Sequence, residues 1–110
     1  MSPSDVSRLI ADEVATVDGL WFTDGDNNPH ALELSRCLVT PVRVTCNNSL
    51  PDYRGGKPFE VWLVLEERGS DGYYIIFDEE TRAFGLAIGT RDRPEFIGWY
   101  GSFLETVRGM

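Results

Sequence analysis

The fold is decided by the stretch Phe59-Glu-Val-Trp-Leu-Val-Leu-Glu66. Side chains alternate across a β-strand, so the face that starts with Phe59 and Val61 is fully apolar. The opposite face begins and ends with glutamate but carries Trp62 and Val64 in its middle. A strand that is apolar on both faces is typical of the interior of a sheet that is covered on both sides.

Three more apolar runs follow this strand, at residues 73–77, 84–88 and 95–100. They are rich in aromatic and β-branched residues, which fit the pleated surface of a sheet. Polar connectors at 68–72 and 78–82 have the composition of turns, and short connectors of this kind join antiparallel neighbours. The sequence therefore predicts a β-meander of three strands between residues 59 and 88, with residues 95–100 as a candidate fourth strand.

The residues before the meander predict further strands. Residues 42–46 alternate between apolar and polar side chains, which indicates a strand with one solvated face. Residues 31–39 also predict a strand, because several leucines share a parity there. Pro41 lies between these runs and cannot donate a hydrogen bond to a neighbouring strand, so we expect an edge, a bulge or a break at that point.

Helix signals stand at both ends of the chain. Ser2 and Pro3 suit the N-cap and first position of a helix, and helix-spaced apolar residues follow as far as Val17. The run from Ser102 to Glu105 matches a capping box, which predicts a short second helix. The sequence predicts an α+β fold of one domain over residues 1–110. In it, an N-terminal helix and a short C-terminal helix pack on a mainly antiparallel sheet of about five strands.

The chain is acidic, with 18 Asp and Glu against 10 Lys and Arg and a formal net charge of −8. A negative field repels phosphate backbones and anionic membranes, so neither nucleic acid nor membrane is predicted as a partner. The same field favours a basic protein. No apolar signal region follows Met1, and no apolar run approaches the ~20 residues that span a bilayer. We therefore expect a cytoplasmic protein.

Residues 24–30 form the most loop-like segment, with Asp24, Asp26 and Asn28 at alternate positions as in the first half of a calcium loop. The pattern then fails, because Pro29 stands where that loop needs glycine and Ser35 stands where it needs a bidentate glutamate. A wide turn joining two strands is the main interpretation. Whether this loop binds a cation is left open by the sequence.

Catalytic signatures are absent from the sequence. The cysteines Cys37 and Cys46 lack metal-binding spacing, and we expect both to be small buried side chains. His30 is the only histidine, and it stands in the turn-rich segment without a nucleophile motif. No enzyme and no cofactor are predicted. A carboxylate- or metal-dependent enzyme centred on residues 24–30 is kept as an alternative.

The run at 84–88 predicts a strand with one face almost free of bulk, formed by Gly85, Ala87 and Gly89. Such a face lets another element approach closely. Packing of a helix on it is the favoured interpretation, because protein interiors are filled. A groove for a small ligand is the alternative, and the sequence leaves open whether this face is covered.

Aromatic residues are more numerous than one inward face needs, and aromatic and arginine side chains are favoured at protein interfaces. The candidate binding residues are Tyr53, Arg54, Trp62, Trp99 and Tyr100. The leading functional hypothesis is a non-enzymatic protein-interaction module. Bacterial immunity and antitoxin proteins, which mask a basic target with an acidic face, are similar in charge and size only. The identity of the partner is open, and so is formation of a homodimer.

Overall fold

The computed structural model describes residues 1–67 and 72–110. The strands are β1 (Leu38–Cys46), β2 (Phe59–Glu66), β3 (Tyr74–Asp78), β4 (Ala83–Gly89) and β5 (Pro94–Gly101). The helices are α1 (Pro3–Val14), α2 (Leu34–Cys37) and α3 (Phe103–Arg108). Two short 3₁₀ segments complete the chain, the first 3₁₀ turn at Gly19–Thr23 and the second 3₁₀ turn at Arg54–Gly56.

The five strands form one sheet in the order β1-β2-β3-β4-β5, and every neighbouring pair is antiparallel. This arrangement confirms the predicted α+β fold, with an N-terminal and a short C-terminal helix on a five-stranded antiparallel sheet. The register of β1 against β2 shifts between Leu38 and Val42, which confirms the irregularity expected around Pro41. The turn predicted at 68–72 falls mostly on residues 68–71, outside the described ranges.

The sheet curls until its first and last strands meet. Asn47, directly after β1, donates its backbone N–H to the carbonyl of Pro94 at 2.8 Å. Its own carbonyl accepts the N–H of Phe96 at 2.8 Å. Because β1 and β5 stand at opposite ends of the strand order, these bonds give the sheet an inner, concave face and an outer, convex face. Phe59 of β2 and Phe96 of β5 pack across the inner face, with ring centroids 5.3 Å apart.

Each face of the sheet has its own apolar core. The helices cover the outer face, where Val6 and Ile10 of α1 and Phe103 and Val107 of α3 are buried. The inner core consists of side chains that the curled strands enclose; its buried members are Cys46, Phe59, Val61, Leu63, Tyr74, Ile76, Ala87 and Phe96. Both apolar faces of β2 are thus buried, each in a separate core.

The first and last helices, α1 and α3, begin at the predicted N-caps. Ser2 accepts the N–H of Asp5, and Asp5 accepts the N–H of Ser2, which is a complete capping box. Ser102 accepts the N–H of Glu105 at the start of α3. Glu13 of α1 accepts two further N–H groups of α3, at 3.0 and 3.2 Å. None of the helices found in residues 1–67 and 72–110 has the length and apolar character to cross a membrane.

The predicted strand at 31–39 is wrong. Residues Leu34–Cys37 form the short helix α2, whose first turn donates two N–H groups to the carbonyl of Glu33, and β1 begins only at Leu38. The segment at 24–30 therefore joins the first 3₁₀ turn to α2 and does not join two strands. Three leucines of one parity suit a strand, and a helix of four residues is too short to show a helical period in the sequence.

The helix predicted on the small-residue face is also wrong. Gly85 and Ala87 face the inner core, opposite the helices, and both are buried. A Cβ on Gly85 would lie 2.4 Å from the carbonyl oxygen of Gly98 and 2.6 Å from the ring of Trp99. The missing bulk is therefore filled by Trp99 from the neighbouring strand, which can approach because Gly85 has no side chain.

Candidate functional site

The structure places the five predicted binding residues in three locations. Tyr53, Arg54 and Trp99 come together over the inner face, where the indole N–H of Trp99 donates to the hydroxyl of Tyr53 at 2.8 Å. Trp62 is buried on the outer face. Tyr100 is exposed, and its ring lies beside Gly109 at the end of α3. Three of the five thus form one cluster, and the role of all five in binding stays a prediction.

Arg54 is held in place by a buried carboxylate. Its guanidinium donates to Oδ2 of Asp78 at 2.7 Å, and the Asp78 side chain is only 4% exposed. Asp78 also accepts the N–H of Glu80 and the hydroxyl of Thr81. The guanidinium lies 4.7 Å above the ring centroid of Phe59. Arg54 has a φ of +50°, a conformation that costs free energy in a non-glycine residue, so these contacts hold the second 3₁₀ turn over the inner core.

Trp62 and Arg43 form a second network on the outer face. The indole N–H of Trp62 donates to Oε1 of Glu79 at 2.8 Å, and Arg43 bridges Glu79 and Glu60. The bond from Trp62 is the main cause that lowers the pKa of the Glu79 carboxyl, and the N-terminal ammonium and Arg43 lower it further. The Glu79 carboxylate therefore already has its hydrogen-bond and ion-pair partners within the chain.

A surface pocket of about 550 Å³ lies between these two networks. Its charged lining comprises Arg43, Arg54, Glu60, Asp78, Glu79 and Glu80, and each of these groups stands in an ion pair with another of them. A ligand that bound here by charge would have to break pairs that already exist. The pocket is therefore best explained as the junction that fixes the second 3₁₀ turn and the β3–β4 turn to the sheet.

In a second region, only Glu33 among the carboxylates stands in an ion pair with an arginine or lysine of residues 1–67 and 72–110. Residues 9–35, which we call the acidic segment, contain no lysine and no arginine. Its six carboxylates belong to Asp12, Glu13, Asp18, Asp24, Asp26 and Glu33. The rest of the chain carries twelve acidic and ten basic residues, so most of the net charge of −8 arises in this one segment. A concentration of one sign of charge raises the local electrostatic potential and attracts the opposite sign.

The acidic segment presents an apolar projection. Leu20, in the first 3₁₀ turn, is 73% exposed, which makes it the most exposed of the large hydrophobic residues. Trp21 and Phe22 are half-buried and pack edge to face, with ring centroids 4.8 Å apart. Asp18 caps the turn by accepting the N–H of Leu20 at 2.9 Å. The capped turn thus presents an exposed leucine within the acidic segment.

An apolar pocket of about 400 Å³ lies beside this turn, between α1, the first 3₁₀ turn and α2. Its apolar walls are formed by Val14, Val17, Phe22, Leu32 and Leu34. Asp18 and Glu33 are exposed at its rim. The volume falls in the range of about 300–1,000 Å³ that is usual for ligand pockets.

Asn28 fixes two walls of this pocket. Its side chain is buried and donates to the carbonyls of Phe22, at 3.0 Å, and Leu32, at 3.1 Å. Its amide oxygen accepts the N–H of Leu32 at 3.0 Å. In the same loop, Asp24 accepts the N–H of Asp26 at 2.9 Å. Two of the three Asx side chains that resemble half a calcium loop, Asp24 and Asn28, are thus bonded to nearby backbone, as turn residues commonly are.

The only histidine belongs to a neighbouring contact. His30 pairs through Nδ1 with Glu67, and the latter also accepts the N–H of Tyr73. No group of three or more His, Cys, Asp or Glu residues that would hold a metal occurs in the part of the chain that the structure describes. Both cysteines are buried, as expected, and burial raises the pKa of the Cys46 thiol to about 12. Its thiol therefore stays protonated at neutral pH, which argues against a nucleophilic role for Cys46.

The sequence-based choice of site residues passed over the acidic segment. Its signal was available, because no cation stands between Arg8 and Arg36 while carboxylates recur throughout. The exposure of Leu20 was not available, since Leu20, Trp21 and Phe22 form one uniform apolar run in the sequence. Comparison with known proteins adds no guide to the site: no family model, no curated protein and no solved structure matches the chain.

Proposed function

We propose that this protein is a non-enzymatic interaction module that binds a basic protein through its acidic segment. The observation that carries the proposal is the exposure of Leu20 in a region that has six carboxylates and no lysine or arginine. Carboxylates attract a basic surface over a distance, and an apolar projection then gains affinity by burial. A protein of this kind acts by covering a basic surface of its partner, as immunity and antitoxin proteins do.

The contrast with the rest of the surface supports this choice. The charges around Arg43 and Arg54 are already paired, so they have little to offer a partner. The small-residue face that suggested a ligand groove is filled by Trp99 and is closed at Gly85 and Ala87. The acidic segment has both electrostatic attraction and accessible apolar surface, the two contributions on which protein association depends.

The test is differential capture from a lysate of the source organism at low and high salt. The wild-type chain is compared with a triple variant, Asp18→Asn, Asp24→Asn and Asp26→Asn. Asparagine keeps a side-chain oxygen as hydrogen-bond acceptor. Position 18 can therefore still cap the first 3₁₀ turn, position 24 can still accept the N–H of residue 26, and the local structure is preserved. We expect the wild type to retain a basic protein that high salt releases. The triple variant should bind that protein with an association rate at least about tenfold lower.

A matched control removes the same number of charges elsewhere. Asp52→Asn, Asp92→Asn and Glu105→Gln lie outside the acidic segment, and all three positions are exposed. This control should retain the same protein as the wild type, because only the distant part of the field has changed. Equal loss in both triple variants would show that net charge alone governs binding. Equal retention in both would contradict the proposal.

A further inference from the structure

The apolar pocket beside the first 3₁₀ turn has the chemistry of a receptor for one kind of side chain. We propose that it receives an arginine of the partner protein, an inference that rests on the proposed function. Val14, Val17 and Leu34 provide an apolar surface, and Asp18 and Glu33 stand at its rim. An arginine buries its aliphatic stem along such a surface while its guanidinium stays at the edge, near the carboxylates.

The rim carboxylates keep capacity for a guanidinium, because their present contacts are few or exposed. Asp18 uses Oδ1 to accept the N–H of Leu20, and its other oxygen accepts no bond from the described residues. Glu33 pairs with Arg36 of the same short helix, at 3.1 Å, but both side chains are more than 60% exposed. Pairs so exposed are weak, so a partner's guanidinium exchanges for Arg36 readily. The planar guanidinium is weakly hydrated and has five donors, which suits a site between two carboxylates better than an ammonium does.

Other side chains fit this pocket less well. A purely apolar side chain would fill the walls but would remove water from Asp18 and Glu33 without replacing their hydrogen bonds. An acidic side chain would be repelled by the rim. A small cation would bind the carboxylates and leave the apolar walls exposed to water. An arginine satisfies both the walls and the rim.

The pocket is also built before a partner arrives. Asn28 bonds to Phe22 and Leu32 from within, so two of the walls have fixed positions. Asp18 fixes the start of the turn that carries Leu20. A preformed pocket binds without the entropy cost of ordering its walls. In the complex, Leu20 would pack on the partner beside the inserted arginine.

The first test is an NMR titration of the ¹⁵N-labelled protein with N-acetyl-arginine-N′-methylamide. Two matched probes are titrated in parallel, guanidinium chloride for the charge alone and N-acetyl-norleucine-N′-methylamide for the apolar stem alone. We expect saturable shifts of the amide signals of Val17, Gly19 and Leu34 with the arginine probe only. Equal shifts with the norleucine probe or with guanidinium, or no saturable shift with any probe, would overturn the proposal.

A pocket-filling variant separates this inference from the proposed function. Ser35→Phe places a ring at the exposed wall of the pocket without changing any charge, and Ser7→Phe does the same on an exposed position of α1 outside it. Ser35→Phe should weaken the binding of the arginine probe and of the captured partner by about tenfold or more, which is the loss typical of an anchor residue. Ser7→Phe should bind both with the affinity of the wild type. If Ser35→Phe keeps the partner while the triple Asn variant loses it, the acidic segment binds without an arginine pocket. If both variants keep it, both proposals fail.

Discussion

Two charged regions of the molecule differ in what their charges contact. Around Arg43 and Arg54, each cation has carboxylate partners, and Asp78 is almost inaccessible to solvent. In the acidic segment, Asp24 accepts the N–H of Asp26, and the side chain of exposed Asp26 accepts no bond from the residues that the structure describes. The difference indicates that the first region uses its charges to hold the fold, whereas the second leaves its charges available for a partner. Stability should therefore respond to the first region and association to the second.

The largest expected effect on stability is that of Asp78→Ala. The substitution leaves Arg54 without its buried partner and removes the acceptor for Glu80 and Thr81. We expect a loss of about 3 kcal/mol in the free energy of unfolding, since the substitution breaks a largely buried ion pair and leaves Arg54 with only the exposed Glu80, at 3.7 Å. Urea unfolding measures the loss, and the exposed Glu80→Ala serves as the control, with a change within about 0.5 kcal/mol. Similar values for the two variants would remove the structural role assigned to the Arg54–Asp78 pair.

Gly85→Ala should have the next largest effect. The added methyl group would collide with the carbonyl of Gly98 and the ring of Trp99, and backbone cannot move aside cheaply. Overpacking of this kind costs about 1–3 kcal/mol of unfolding free energy. Gly25→Ala, where no atom lies within 4 Å of the new methyl group, is the matched control in the acidic segment. An unchanged melting temperature for Gly85→Ala would mean that the inner face has room to spare and would revive the ligand groove.

Trp62→Phe should give a pH-dependent effect. It removes the indole N–H that lowers the pKa of Glu79 below its ordinary value of 4.5. A carboxylate whose pKa is lowered by folding stabilises the protein above the unfolded pKa, and this contribution disappears as the pH falls through the folded pKa. The difference in unfolding free energy between the wild type and Trp62→Phe should therefore be larger at pH 7 than at pH 3. A difference that is constant with pH would show that Trp62 acts through packing alone.

The smallest effect on stability should come from the triple Asn variant in the acidic segment. Asp18, Asp24 and Asp26 are exposed, so each substitution should change the unfolding free energy by about 0.5 kcal/mol or less. Relief of repulsion between like charges should give a slight gain at low salt that vanishes at high salt. Urea midpoints at two salt concentrations check this, and a large loss would show that these carboxylates are structural.

The sequence predicted the sheet well because β2 is unambiguous. Its alternation is apolar on both faces, and the structure begins and ends the strand at Phe59 and Glu66 as predicted. The helix α2 was missed because its four residues are too few to show a helical period, while leucines at 32, 34 and 38 share the parity of a strand. The filling of the Gly85 side by Trp99 depends on register shifts between β4 and β5, which are tertiary features that no local pattern shows. The same holds for the site: charge can be counted along the chain, but the exposure of Leu20 is set by long-range packing.

The capping of α3 by Glu13 has a consequence for the order of folding. The strands pair with sequence neighbours, whereas Glu13 joins residues that are 90 and 91 positions away. Closing so long a loop carries a larger entropy cost than forming a hairpin, so we expect the meander to form before the two helices meet. The reverse process should then open α1 and α3 together, because loss of α1 removes the Glu13 carboxylate that caps the start of α3. Hydrogen exchange in the native state would show this as one shared opening rate for the amides of both helices, faster than that of β2 and β3.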